Sequence, residues 1–311
     1  MRIVVPDYYK EFSCIAGACR HSCCIGWEID IDEDSMARFE ELDTPYGETL
    51  RSRIDCTGEV PHYRLGAGDR CPFLREDGLC EMILELGEDV LCQICADHPR
   101  FRNYFADRTE LGLGLCCEAA GELILKRTAP MKLEVLEEDE FPDESDEEDE
   151  TLLSFRDMLF SILQDRSCTV DERLKELRDT CGCMAEEFDA EVWVRRLLEL
   201  ERLDEGWTTV LEGLSKQNRV DAPELHTPQW EMAFEQAAVY FLFRHLPAAL
   251  EDGDVASKAA FAALSVESLR ALCAGKDNCT LDDLVEFARM YSSEIEYSEE
   301  NLAQMFAWLS E

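Results

Sequence analysis

Cys14-x₄-Cys19-x₃-Cys23-Cys24 begins a thiol array that continues as Cys71-Pro-Phe-Leu, Cys80, Cys92-x₂-Cys95 and the pair Cys116-Cys117. Thiols gathered this densely are joined in disulfides or held on metal, since free ones oxidise and thiolates are soft ligands. Two features favour metal. The opening MRIVVPDYYKEF has no basic n-region and no apolar h-region, so the expected compartment is the cytoplasm, where disulfides are rare. At 311 residues the chain is also far longer than the secreted scaffolds that need disulfide staples.

Spacing narrows the metal. Zinc modules present paired C-x₂-C knuckles, and here Cys92 and Cys95 alone have that spacing within the array. Adjacent cysteines such as Cys23-Cys24 and Cys116-Cys117 rarely reach one small ion together. An iron–sulfur cluster, or two separate centres, tolerates such irregularity better, with zinc as the alternative metal. The expected ligands are Cys14, Cys19, Cys23, Cys24, Cys71, Cys80, Cys92, Cys95, Cys116 and Cys117. His98, after Asp97, is a further ligand, a general base or a plain loop residue. A redox role for Cys92-x₂-Cys95 lacks a thioredoxin-like βαβ context. The late cysteines Cys168, Cys181, Cys183, Cys273 and Cys279 show no ligand pattern and read as ordinary thiols.

The elements around these residues fall into three stretches. Residues 1–130 form a cysteine-rich, metal-centred domain with little regular structure, since bound metal supplies folding free energy directly. Within it Trp27–Asp32 alternates like a short edge strand, and Ser35–Leu42 and Glu81–Leu86 read as short helices. Residues 131–150 are an acidic linker, because the run Glu137–Glu150 repels itself and has nothing to bury. Residues 151–311 form an all-α domain, so the fold class is mainly α. Helices are expected near 152–164, 171–180, 189–203 and 257–273. Trp230, Ala233, Phe234, Ala237, Ala238, Phe241, Leu242 and His245 form an amphipathic stripe that ends at Pro247. Thr280 with Asp283 reads as a capping box, and Ser298 as an N-cap. A net charge of -39 argues against nucleic acid and anionic membranes, and no apolar run is long enough to span a bilayer. A monomer is expected.

Cys19-x₃-Cys23-Cys24, Cys71-Pro-Phe-Leu-x₅-Cys80 and Cys95-x₃-Pro99 resemble the signature of the bacterial YkgJ-type zinc- or iron-chelating domain. The wider set VVPDYY, CCIGWEIDID, CPFL, CQICADHPRF, GLGLCCE, YFLFRHLP and YSSEIEYSEEN resembles the flagellin lysine-N-methylase family over nearly the whole chain, linker excepted. The resemblance implies a protein lysine N-methyltransferase that takes flagellin as partner, S-adenosylmethionine as methyl donor and a [4Fe-4S] cluster as cofactor. Cys92 and the pair Cys116-Cys117 depart from the smaller signature and belong to the larger family's pattern. No G-x-G-x-x-G loop follows a strand, so the usual nucleotide-type donor site is absent from the sequence. A non-catalytic, zinc-stabilised binding module is the competing reading.

A methylated lysine would need a carboxylate or tyrosine to orient and deprotonate its amine, since the neutral amine is the nucleophile. Glu294, with Tyr291 and Tyr297, is expected to fill that catalytic role. Arg100, with Arg102 nearby, could meet the donor's carboxylate or simply balance local acidity, and His98 is grouped with Arg100 as cofactor-binding. Tyr240, Arg244 and His245 share one segment, but His245 lies on the apolar stripe and reads as a satisfied core histidine.

Overall fold

The computed structural model describes residues 2–140, 144–183, 188–217 and 221–310. The chain is mainly helical with small sheets. It divides into two compact units, residues 13–100 and residues 2–12 with 101–310. This differs from the three stretches expected from sequence. The cysteine unit ends near residue 100, and the first strand belongs with the helical half.

Strand β1 (Arg2–Pro6) opens the chain and is followed by the cysteine unit. That unit holds α1 (Glu33–Glu41), α2 (Pro45–Ser52), the two-residue strands β2 (Ile54–Asp55) and β3 (His62–Tyr63), α3 (Glu81–Leu86) and α4 (Gln93–Asp97). Its core comprises Ile29, Ile31, Phe39, Leu50, Ile54, Tyr63, Phe73 and Met82, with two of the thiols, Cys71 and Cys92. The strand expected over Trp27–Asp32 is absent as such. Ile25 and Asp30 make isolated bridges to Arg70 and His62, and the alternation survives as burial of Ile29 and Ile31. Asp32 then ends the segment by capping two helices. It accepts from Ser35 N (2.9 Å) in α1 and from Gln93 N (2.7 Å) at the start of α4.

The helical unit resumes with β4 (Arg100–Tyr104), β5 (Arg108–Leu113), α5 (Glu118–Leu125) and β6 (Leu133–Glu138). The sheet order is β4-β5-β1-β6, with β1 parallel to β5 (Val4 opposite Glu110) and antiparallel to β6 (Val4 opposite Val135). Gly112 of β5 lies under the Phe101 ring of β4, and a Cβ there would sit 2.1 Å from a ring carbon.

The acidic stretch is therefore not a plain linker. Glu137 and Glu138 complete β6, and α6 (Glu147–Leu163) begins within the run. Asp146 caps that helix, and Asp149 is buried where its carboxylate accepts from Ala106 N (2.7 Å). Residues 141–143 of the expected linker lie outside the described residues.

Helices α7 (Val170–Cys181), α8 (Ala190–Glu199), α9 (Glu205–Gln217), α10 (Pro228–His245), α11 (Ala249–Asp252), α12 (Val255–Ala274), α13 (Leu281–Tyr291) and α14 (Glu299–Leu309) complete the unit. A π-helical turn, Ser292–Glu296, joins α13 to α14. The capping box at Thr280 and the N-cap at Ser298 form as the sequence indicates. Helix α10 is not simply amphipathic, because its polar positions are buried as well. Glu235 pairs with Arg166 and Arg173 (both 2.8 Å), and Gln236 donates to Ala129 O (2.9 Å). No helix among the described residues is long and apolar enough to cross a membrane.

Candidate functional site

In the cysteine unit five thiols, Cys24, Cys71, Cys80, Cys92 and Cys95, lie within electrostatic reach of one another. The backbone assembles them. Cys71 N donates to Cys24 O (2.8 Å), while Cys80 and Cys92 stand at the N-caps of α3 and α4. Asp32 fixes the Cys92–Cys95 turn through Gln93. Hydrogen bonding from Cys95 draws the Cys92 thiol down to about 7, and Cys95 is pushed up in return. Cys24 is likewise drawn to about 7, chiefly by Cys23, whereas burial pushes Cys71 up to about 12. All these cysteines are unbridged. Among the described residues no group of three or more histidine, cysteine, aspartate or glutamate side chains closes tightly enough to hold a metal ion. The donor chemistry nevertheless suits a thiolate-bound group: five soft ligands, two of them poised to ionise near neutrality.

Other expected ligands lie differently. Cys14 is exposed and accepts from Ala16 N (3.4 Å), and Cys19 donates to His21 O (3.2 Å). Cys116 and Cys117 belong to the helical unit, where Cys117 is the N-cap of α5. His98 is lowered to about 4 by lost hydration and then by Arg100, so its imidazole is neutral. Arg100 donates to Ala96 O (3.3 Å).

The helical unit has its own polar centre, built from three parts of the chain. Glu296, at the end of the π-helical turn, is fully buried in its side chain. It meets His245 Nε2 at 2.6 Å and Arg244 Nε at 3.3 Å, and it accepts from the Tyr240 hydroxyl at 2.9 Å. That hydroxyl in turn accepts from Arg244 Nη1 (2.9 Å) and from the backbone N–H of Leu115 (3.1 Å). Burial pushes the Glu296 carboxyl up, but Arg244 and then His245 outweigh it and hold it below the usual range. His245 is lowered by burial, against the opposing pull of the Glu296 carboxylate. Arg244 also lies over the rings of Phe101 (4.9 Å) and Tyr297 (4.8 Å), and Tyr297 hydrogen-bonds the Cys116 thiol.

Sequence reasoning found Tyr240, Arg244 and His245 as one segment but did not find their carboxylate. The residues singled out instead lie elsewhere. Glu294 is 1% exposed, and both its oxygens accept backbone N–H groups at the head of α9, from Leu203 (3.0 Å) and Asp204 (2.6 Å). Tyr291 is fully buried against Trp207, Phe241 and Phe261, with its hydroxyl 3.0 Å from that of Ser265. Tyr297 is the exception, at 43% exposure. The late pair Cys273 and Cys279, read as ordinary, are hydrogen-bonded to each other.

Comparison with known proteins bears on the helical unit. The family profile of the FliB lysine N-methylase C-terminal domain matches residues 190–311. The lysine-N-methylases of Salmonella typhimurium and Salmonella choleraesuis are each 28% identical over 139 residues, which is 42% of this chain and 34% of the relative. The flagellar biosynthetic protein FliU of Salmonella muenchen is 27% identical over 139 residues, 42% of this chain and 81% of that protein. The match thus spans about a third of the length of the two lysine-N-methylases. No solved structure matches. Residues 190–311 are thus similar to the C-terminal domain of the FliB-like lysine N-methylases.

Proposed function

We propose that the chain is a protein lysine N-methyltransferase acting on flagellin, with S-adenosylmethionine as donor and an iron–sulfur cluster on its cysteine unit. The observation that carries this reading is the buried Tyr240–Arg244–His245–Glu296 centre, which falls inside the segment matching the lysine N-methylase C-terminal domain. A core built for stability alone seldom buries a carboxylate, a guanidinium, a phenol and an imidazole together, and such clusters gather at functional sites. The π-helical turn that delivers Glu296 is a second mark of that kind.

Cys24, Cys71, Cys80, Cys92 and Cys95 are the residues that would hold the cluster, with Cys14, Cys19 and Cys23 of the same unit as further candidates. Arg100 would face the donor's carboxylate, and neutral His98 could hydrogen-bond its polar groups. When bound, S-adenosylmethionine supplies a methyl on a sulfonium that departs as a neutral thioether. The lysine nitrogen forms the new C–N bond with its own lone pair and sheds one proton to solvent.

The test is anaerobic purification, iron and sulfide analysis, and methyl transfer to flagellin read by mass spectrometry. Iron and sulfide in similar amounts, together with methylated lysines, support the reading. A colourless protein carrying only zinc, with no transfer, would return the chain to the zinc-stabilised binding module.

A further inference from the structure

The polar centre of the helical unit is closed except on one side. Glu296 is fully buried in its side chain and Arg244 is 10% exposed, yet Tyr297, next in the chain, keeps 43% of its surface. Three polar contacts fix the Arg244 guanidinium. It donates from Nη1 to the Tyr240 oxygen (2.9 Å), pairs through Nε with Glu296 Oε1 (3.3 Å) and reaches the Glu296 carbonyl from Nη2 (3.4 Å). A planar fork held at that many points retains little rotational freedom, and a ring packed on it is held as well. Tyr297 is that ring, at 4.8 Å, with its hydroxyl bonded to the Cys116 thiol.

We propose that Tyr297 meets the methyl-accepting lysine side chain at the surface of the helical unit, and that Arg244 is the residue positioning it. The inference rests on the functional reading above and adds to it the contact residue and its support. The hydroxyl is turned inward onto the Cys116 thiol, so it is the exposed ring that can take the lysine's methylene stem. Arg244 carries the same charge as an ammonium, so it disfavours the protonated amine and favours the nucleophilic neutral one. Glu296, Tyr240 and His245 do not touch the substrate in this scheme. They hold the guanidinium.

The experiment uses the full chain labelled with ¹³C at the tyrosine ε carbons, the Tyr297 signal being identified by its loss in Tyr297→Phe. Arg244→Lys should move the Tyr297 signal and leave that of core Tyr291 in place. An unmoved Tyr297 signal overturns the positioning role. Titrating wild type with Nα-acetyl-lysine methylamide should shift Tyr297, and no shift overturns the contact. In methyl transfer to flagellin, Arg244→Lys and Tyr297→Ala should each lower kcat by about tenfold to a hundredfold at nearly unchanged KM, with the double variant no worse than either single one. Additive losses, or wild-type kcat in either single variant, overturn the proposal. Should Arg244→Lys fail to fold, the exposed Tyr297→Ala still decides. A wild type that transfers no methyl sinks the functional reading, while the two spectroscopic arms still judge the lysine contact.

Discussion

Gly112→Ala tests how the polar centre is supported from the sheet. The new Cβ would stand 2.1, 2.5 and 2.7 Å from three carbons of the Phe101 ring, far inside contact distance. To restore even tight packing the ring must retreat by about 1.3 Å. Gly112 does not have positive φ, so alanine suits its backbone and the clash is the main effect. Overpacking of this kind costs about 1–3 kcal/mol. Displacing the ring also loosens its contact with the Arg244 guanidinium at 4.9 Å, worth about 0.5–2 kcal/mol. Relief of glycine's chain entropy offsets about 0.5–1 kcal/mol, leaving a net loss of about 0.5–4.5 kcal/mol. Urea unfolding followed by tryptophan fluorescence measures it, and a double-mutant cycle assigns it. In a Phe101→Ala background there is no ring to strike, so Gly112→Ala should become neutral or stabilising. An equal loss in both backgrounds would refute the argument, because the strain would then lie in the strand and not between strand and ring.

Three further outcomes are expected. Glu294→Ala should lower stability by about 2–3 kcal/mol in thermal denaturation, and Glu294→Gln by about 1–2, since the carboxylate serves two buried N–H groups at the head of α9. The Glu296 carboxyl is held below its unfolded value by Arg244 and His245. Its contribution is therefore present above the unfolded pKa, about 4.3, and is lost as pH falls through the lower folded pKa. Glu296→Gln should flatten the acid limb of a stability–pH profile, and an unchanged limb would show that Glu296 does not drive it. Cys92→Ser and Cys95→Ser should abolish bound iron and sulfide, whereas Cys168→Ser and Cys273→Ser should keep both. The reverse pattern would mean that the ligand assignment is wrong.

What could be read ahead of the structure was local. Helix periodicity, the Thr280–Asp283 capping box and the Ser298 N-cap depend on residues within one turn of each other, and they form as the sequence indicates. What stayed hidden was non-local. The partners of Glu294 are backbone amides some ninety residues earlier, in a segment with no carboxylate-seeking signature. Tyr240, Arg244 and His245 were visible as a group, but their carboxylate depends on the turn over Ser292–Glu296. An α-helical continuation would place Glu294 one turn above Tyr291, on the same face. The wider π-helical turn breaks that phase, and Glu296 is the residue that reaches the centre. The sheet was missed because Ile3-Val4-Val5 is too short a run to reveal partners beyond residue 100.

The placement of β1 has a consequence for the order of events on the ribosome. Its two sheet neighbours are β5 and β6, at residues 108–113 and 133–138, so every residue of the cysteine unit is made between the strand and its partners. At typical synthesis rates the strand waits about 5–20 s for them. During that interval residues 13–100 can complete a core of their own. Left disordered, a tether of that length would add about 4 kcal/mol to the closure of the sheet. The cysteine unit can therefore mature before the strand that precedes it finds its place in the sheet.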